Sequence, residues 1–136
     1  MQYYKMICVQ PEEKEALVLN DKSYTYGDLQ LLASKRAKVL LSKETSKIHI
    51  IRKEHILEQL IDFLACNAAG IIPLIMPNDC KITKEEVWQL AQNELEKIDK
   101  NTDTTKVCMA VMTSGTTGIP KIYFRTYESW AGFFDV

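Results

Sequence analysis

The sequence has 136 residues, 17 Lys and Arg against 18 Asp and Glu, and a net charge of -1. This length fits a single domain, and 46% hydrophobic with 26% charged residues excludes wholesale disorder. The near-neutral charge argues against a nucleic-acid-binding protein. No apolar run reaches the about 18–20 residues that cross a bilayer, and the N-terminal residues lack a secretion signal. We therefore expect a cytoplasmic protein without a transmembrane segment.

The sequence predicts reduced thiols rather than a metal centre. No C-x-x-C pair occurs, and the two histidines lie far along the chain from the cysteines. We therefore expect no metal ligands, and four free thiols, most of them buried: Cys8, Cys66, Cys80 and Cys108.

The first half of the chain predicts a hairpin followed by a helix. Ala16–Leu19 and Ser23–Thr25 are β-like runs separated by the turn residues Asn20 and Asp21. Thr25 is a typical N-cap, with Asp28 in the first turn of a helix that reaches about Leu41. The apolar positions at helical spacing, which we expect to face the core, are Leu29, Leu32, Ala33, Ala37 and Leu40.

The rest of the chain alternates strands and helices. The predicted strands are Ile48–Ile51, Ile71–Met76, Val107–Met112 and Ile122–Arg125. The predicted helices are Glu54–Ala69, stopped by Gly70, and one opened by Thr83 and Glu86 that reaches about Ile98. Thr126 is predicted to cap a last helix. The inward stripe predicted for the first of these helices is Ile56, Leu57, Leu60, Ile61, Leu64 and Ala65.

This alternation predicts an α/β fold with a largely parallel sheet flanked by helices. The C-terminal segment 130–136 is apolar and aromatic, with no polar tail. Natural termini are usually polar and exposed, so we expect more protein to follow and residues 1–136 to form a partial domain. Surfaces left open in such a piece favour self-association.

The polar loop after the predicted buried strand Val107–Met112 has the composition of a phosphate-binding loop. Gly115 and Gly118 let the backbone approach a ligand, and successive N–H groups in such a turn bind anions. Lys121 adds a mobile positive charge suited to phosphate oxygens. Hydroxyl donors come from Thr113, Ser114, Thr116 and Thr117.

The loop is not a Walker A motif, because Ile119 and Pro120 separate its second glycine from the lysine. It resembles instead the signature [ST]-S-G-T-T-G-x-P-K of the adenylate-forming enzymes, which include acyl-CoA synthetases and fatty acid–CoA ligases. Every specified position agrees. The segments Ser23–Leu29 and Phe63–Leu74 also resemble that family, whereas Tyr123–Trp130 departs from its commoner continuation.

The resemblance implies that residues 1–136 are a partial AMP-binding N-terminal domain, about the first quarter of the family's length, without the C-terminal domain. It implies an acyl-adenylate formed from ATP and a carboxylic acid with Mg²⁺, and then a thioester, with coenzyme A as the thiol. The residues it assigns to the ATP phosphates are Thr113, Ser114, Gly115, Thr116, Thr117, Gly118 and Lys121.

The same resemblance places the catalytic lysine and the adenine and ribose sites outside this chain, so we expect the isolated chain to be inactive. Two alternatives stay open: a non-catalytic short form that binds nucleotide or completes a partner, and a unit that loads a carrier protein. The basic stretch 35–53 could bind CoA or a membrane surface, although a solvated helix face is the favoured interpretation. Arg125 near the loop could reach a phosphate or a carboxylate, although a surface ion pair is the favoured interpretation.

Overall fold

The computed structural model describes residues 2–43, 46–98, 106–113 and 120–128. Its elements, in chain order, are α1 (Gln2–Cys8), β1 (Glu15–Leu19), β2 (Lys22–Thr25), α2 (Tyr26–Lys43), β3 (Ile48–Ile51), α3 (Ile56–Ala69), β4 (Ile72–Ile75), α4 (Lys84–Lys97), β5 (Val107–Thr113) and β6 (Lys121–Thr126). The predicted final helix falls almost wholly on residues outside the described ranges.

A four-stranded sheet in the order β3-β4-β5-β6 organises the fold. The first three strands are parallel, and β6 runs antiparallel to β5. The strands and α4 form one apolar core, while β3, α2 and α3 contribute to a second. The predicted α/β class with a largely parallel sheet is confirmed.

The hairpin and the start of α2 form as their residue types predict. The turn residues Asn20 and Asp21 have φ of 51° and 65°, in the left-handed region that these side chains tolerate. The Thr25 hydroxyl accepts from the Asp28 N–H at 3.1 Å, and the Asp28 carboxylate accepts from the Thr25 N–H at 2.9 Å. This reciprocal pair satisfies two backbone donors where α2 begins.

Pro73 explains how β4 joins its two neighbours. The Ile72 N–H donates to the carbonyl of Lys47, which precedes β3, and the Met76 N–H donates to the carbonyl of Ile51, the last residue of β3. Successive backbone nitrogens point to opposite sides of a strand. Since the Ile72 N–H points toward β3, the nitrogen of Pro73 points toward β5. The ladder between β4 and β5 is reduced to the pair Leu74 and Ala110, which fits the missing donor.

The ends of the later helices also follow the predicted signals. Thr83 accepts from the Glu86 N–H at 3.2 Å and begins α4. Gly70 has φ 75° and ends α3 in the left-handed conformation. The first helix, α1, was not predicted, and Tyr3 anchors it against Phe63 and Tyr127 at ring distances of 5.4 and 5.3 Å.

Several inward assignments were wrong. Leu32 and Ile56 are exposed by 38% and 67%, because α3 covers the stripe Leu29, Ala33, Ala37 and Leu40, and the first turn of α3 faces an open cleft beside the hairpin. Ile75 is also exposed, so β4 is not buried along its whole length. The four cysteines are thiols rather than disulfides, but only Cys66 and Cys108 are buried.

None of the helices in the described ranges is long and apolar enough to cross a membrane.

Candidate functional site

The strands β5 and β6 fix both ends of the glycine-rich loop. Thr113 ends β5, Lys121 begins β6, and the two are direct partners across the antiparallel pair. Both are exposed, and Pro120 beside them is buried. The remaining loop residues of the predicted site lie outside the described residues: Ser114, Gly115, Thr116, Thr117 and Gly118.

The described ends of the loop lie at the carboxyl edge of the parallel strands. Since β3, β4 and β5 are parallel, their C-terminal ends meet at the same edge, and Thr113 lies there. Open α/β sheets bind ligands in the crevice outside this edge. The two described ends of the loop, Thr113 and Lys121, therefore lie at this edge.

Two further basic residues follow β3 at this edge. The Arg52 guanidinium donates to the carbonyls of Asn78 and Cys80 at 2.7 and 3.3 Å, which holds the segment after β4. The Lys53 carbonyl accepts from the side chains of Gln59 and Asn78. Two strand spacings separate β3 from β5, about 10 Å. The backbone of Arg52 and Lys53 therefore lies at the same edge as the beginning of the loop.

Arg52 was missed by the sequence analysis as a residue that shapes this edge. It was grouped with the basic stretch 35–53, which the structure divides among different contacts. Its carbonyl partners lie 26 and 28 residues further along the chain. No local spacing signals such a contact, because a carbonyl acceptor is present on every residue.

Side-chain contacts hold β5 in place below the loop. The buried Asn67 amide on α3 donates to the Cys108 carbonyl at 3.4 Å and to the Phe63 carbonyl at 3.2 Å. The Cys108 thiol donates to the Arg125 carbonyl at 3.5 Å. Burial raises the pKa of Cys108, so the thiol stays protonated and remains a donor. The raised pKa of Tyr3, about 12, also reflects burial, together with the nearby Cys108.

Asp62 joins α2, α3 and β3 on the other side of the core. Its carboxylate accepts from the Arg36 guanidinium at 2.9 Å and lies 3.6 Å from His49 Nε2. Burial alone would raise its pKa, but the contacts with His49 and Arg36 and the charge of Lys53 lower it below the ordinary value. Asp62 is therefore a charged crosslink between elements rather than a proton donor or acceptor at the loop.

Arg125 lies away from the mouth of the loop. It pairs with Met109, four residues along β6 from Lys121, or about 13 Å. Its Nε is buried and makes no hydrogen bond, and in the described part of the chain no ion pair includes it. The favoured surface ion pair is therefore not found.

Within the described ranges, no group of three His, Cys, Asp or Glu side chains could hold a metal ion.

A curated protein shares sequence similarity along almost the whole chain. It is a putative long chain fatty acid-CoA ligase, VraA, from Staphylococcus epidermidis, 28% identical over 96% of this chain and 32% of the relative. The chain thus spans about a third of the length of that relative. No family model matches the chain.

Solved structures share the fold. O-succinylbenzoate coenzyme A synthetase (MenE) from Bacillus subtilis, in complex with AMP, gives a TM-score of 0.66 at 16% identity, over 98% of this chain and 43% of that one. The same synthetase has also been solved in complex with ATP and magnesium ion. The N-terminal subdomain of NpsA from Klebsiella oxytoca gives 0.65 at 18% identity, over 92% of this chain and 39% of that one. The resemblance predicted from the sequence is confirmed, and the chain is similar along nearly all its length to the N-terminal part of the adenylate-forming enzymes.

Proposed function

We propose that residues 1–136 are the partial N-terminal, ATP-phosphate-binding domain of an ATP-dependent acid–thiol ligase of the acyl-CoA synthetase type. One observation carries the proposal. The complete nine-residue signature Thr113–Lys121 begins and ends at the carboxyl edge of the parallel strands. A signature of this composition needs such an edge to bring backbone N–H groups and a cation to one ligand.

The described ends of the loop have the chemistry that phosphate requires. Thr113 offers a hydroxyl donor and Lys121 an ammonium group; both are exposed and directly opposite each other. The proposed phosphate ligands are Thr113, Ser114, Gly115, Thr116, Thr117, Gly118 and Lys121. Mg²⁺ would neutralise phosphate charge, and no residue of the chain is assigned to it.

The proposed reaction has two steps. A carboxylate oxygen forms a bond to the α-phosphorus of ATP, and the bond to pyrophosphate breaks, which gives an acyl-adenylate. A thiol, that of coenzyme A in the favoured case, then forms the thioester and AMP leaves. The loop residues hold the phosphate tail and stabilise the charge that develops on the departing pyrophosphate. A fatty acid is the proposed acid, by analogy with the curated relative.

Calorimetric titration of the full chain with ATP and Mg²⁺ tests the binding step. We expect Lys121→Ala to weaken binding about 10- to 100-fold, since one charge-assisted contact is lost. Lys97→Ala is the control, because that exposed lysine pairs with Glu94 on α4. The proposal is contradicted if no heat of binding is found, or if both variants weaken binding equally.

Pyrophosphate exchange tests whether binding and catalysis are separate. We expect no exchange of labelled pyrophosphate into ATP by this chain with any of a panel of carboxylic acids. Robust exchange would contradict the assignment as a partial domain, because a third of the relative's length would then suffice for adenylation.

A further inference from the structure

The outward side of α2 has an unusual composition for a helix exposed to water. After the first turn, its exposed residues comprise four apolar side chains, three lysines and one serine. We call them the α2 outer face: Leu31, Leu32, Lys35, Lys38, Val39, Leu41, Ser42 and Lys43. The apolar members are exposed by 55%, 38%, 37% and 60% in chain order. No residue of the face is acidic.

Two serines make this side of α2 still less polar. The Ser42 hydroxyl donates to the Val39 carbonyl at 2.7 Å, and the half-buried Ser34 donates to the Leu31 carbonyl at 3.0 Å. These bonds turn the hydroxyl donors back onto the helix itself. The groups left facing outward are therefore methyl-bearing side chains and lysine ammonium groups.

The exposed side of α4 provides a comparison within the same fold. Its exposed residues are Lys84, Glu85, Glu86, Gln89, Asn93, Glu96 and Lys97. None is apolar, and both charge signs are present, which is the usual pattern for a solvated helix face. Half of the α2 outer face is apolar and its charges have one sign, so ordinary solvation does not account for it.

The structure also separates these lysines from the rest of the basic stretch. Arg36 is occupied by Asp62, and Arg52 holds the segment after β4. Lys35, Lys38 and Lys43 lie on α2 among the exposed leucines and valine. Glu12 and Glu13 lie near the N-terminal end of the face, where they line a cleft with Leu31 and Ser34. Positive charge is thus concentrated on the last three turns.

We propose that the α2 outer face docks on an anionic lipid surface, with α2 lying in the plane of the bilayer interface. The apolar side chains would enter the boundary between headgroups and acyl chains, and the lysines would contact lipid phosphates. An 18-residue helix is about 27 Å long. The charge pattern selects this occupant: protein interfaces are depleted in lysine, and a free phosphate does not need four exposed apolar side chains.

Vesicle sedimentation of the full chain tests the proposal. We expect binding to phosphatidylglycerol-containing vesicles, none to pure phosphatidylcholine vesicles, and release as salt is raised. The variant Lys35→Gln/Lys38→Gln/Lys43→Gln should lower the partition coefficient on the order of a hundredfold, since each lysine contributes about a fivefold factor. Leu31→Ser/Leu41→Ser should also weaken binding, and both side chains are exposed, so folding should persist by circular dichroism.

The matched control is Lys84→Gln/Lys97→Gln on α4, which should leave vesicle binding unchanged. Three results would overturn the proposal: no binding to anionic vesicles, equal loss in the α4 control, or binding that free coenzyme A abolishes while the Leu31→Ser/Leu41→Ser variant binds normally. A dimer that the α2 variants dissociate, without any vesicle binding, would assign the face to a second copy instead. Lys121→Ala should not alter vesicle binding, so this test is independent of the proposed nucleotide site.

Discussion

Among the described residues, Asp62 is a charged side chain buried to 4% exposure and still kept ionised. Arg36 comes from α2 and His49 from β3, 26 residues before and 13 residues before Asp62 in the chain. Such a group is costly to bury alone, and these partners, with the charge of Lys53, offset that cost. The sequence did not single out Asp62, because the partners are distant in sequence and acidic residues on helices are common.

We predict that Asp62→Asn lowers the free energy of unfolding by about 2 kcal/mol at neutral pH, since Arg36 loses its charged partner but can reach water. The folded-state pKa of Asp62 is below its unfolded value. The stabilisation is therefore complete above the unfolded pKa and is lost as pH falls through the folded one. Urea unfolding at pH 7 and at acidic pH measures this. The difference in the free energy of unfolding between wild type and Asp62→Asn should become smaller as the pH falls.

The control for this change is Glu94→Gln, which removes an exposed pair with Lys97. We expect Glu94→Gln to lower the free energy of unfolding by less than about 0.5 kcal/mol at any pH. An Asp62→Asn effect that stays constant into acid would show that shape, rather than charge, is what Asp62 contributes.

At the scale of single elements, local signals predicted the ends better than the buried sides. The Thr83 cap, the turn at Asn20 and the stop at Gly70 depend on residues a few positions away, so the sequence contains them. Leu32 and Ile56 were placed inward wrongly. Apolar spacing shows which residues share a side of a helix. How much of that side is buried depends on the neighbouring elements, which the spacing does not specify.

The N-cap of α4 gives one prediction at this scale. Thr83→Ala should lower the free energy of unfolding by about 1 kcal/mol, because the Glu86 N–H loses its acceptor. Thr83→Ser keeps the hydroxyl and should retain most of the stability. Thermal unfolding of the three proteins measures the effect, and equal melting temperatures for the alanine and serine variants would contradict the capping role.

The hairpin turn gives a second prediction at the scale of single elements. Asp21 has φ 65°, and glycine adopts that conformation at less cost. Asp21→Gly should raise the free energy of unfolding by a few tenths to about 1 kcal/mol, measured by urea unfolding. The control Asp79→Gly places the same change at an exposed position where no positive φ is recorded, and it should not stabilise. Destabilisation by Asp21→Gly would mean that the aspartate side chain matters more than its backbone.

At the scale of the whole molecule, the sequence predicted the class and the place of the loop but not the arrangement of the sheet. Strand order and the antiparallel direction of β6 depend on contacts between distant residues. The unpredicted α1 docks through Tyr3, whose ring partners lie on α3 and after β6. Self-association through open surfaces stays a prediction, which light scattering of the purified chain tests.

The central claim is that the carboxyl edge of the sheet holds the phosphates of ATP at the loop between β5 and β6. Amide chemical-shift mapping of the full chain, titrated with ATP and Mg²⁺, tests that claim most directly because it reports where the nucleotide lies. We predict saturable shifts concentrated between Thr113 and Lys121, with smaller ones at Arg52 and Lys53 and none along α4. Shifts that are absent, or that cluster on another surface while this edge is unchanged, would contradict the claim.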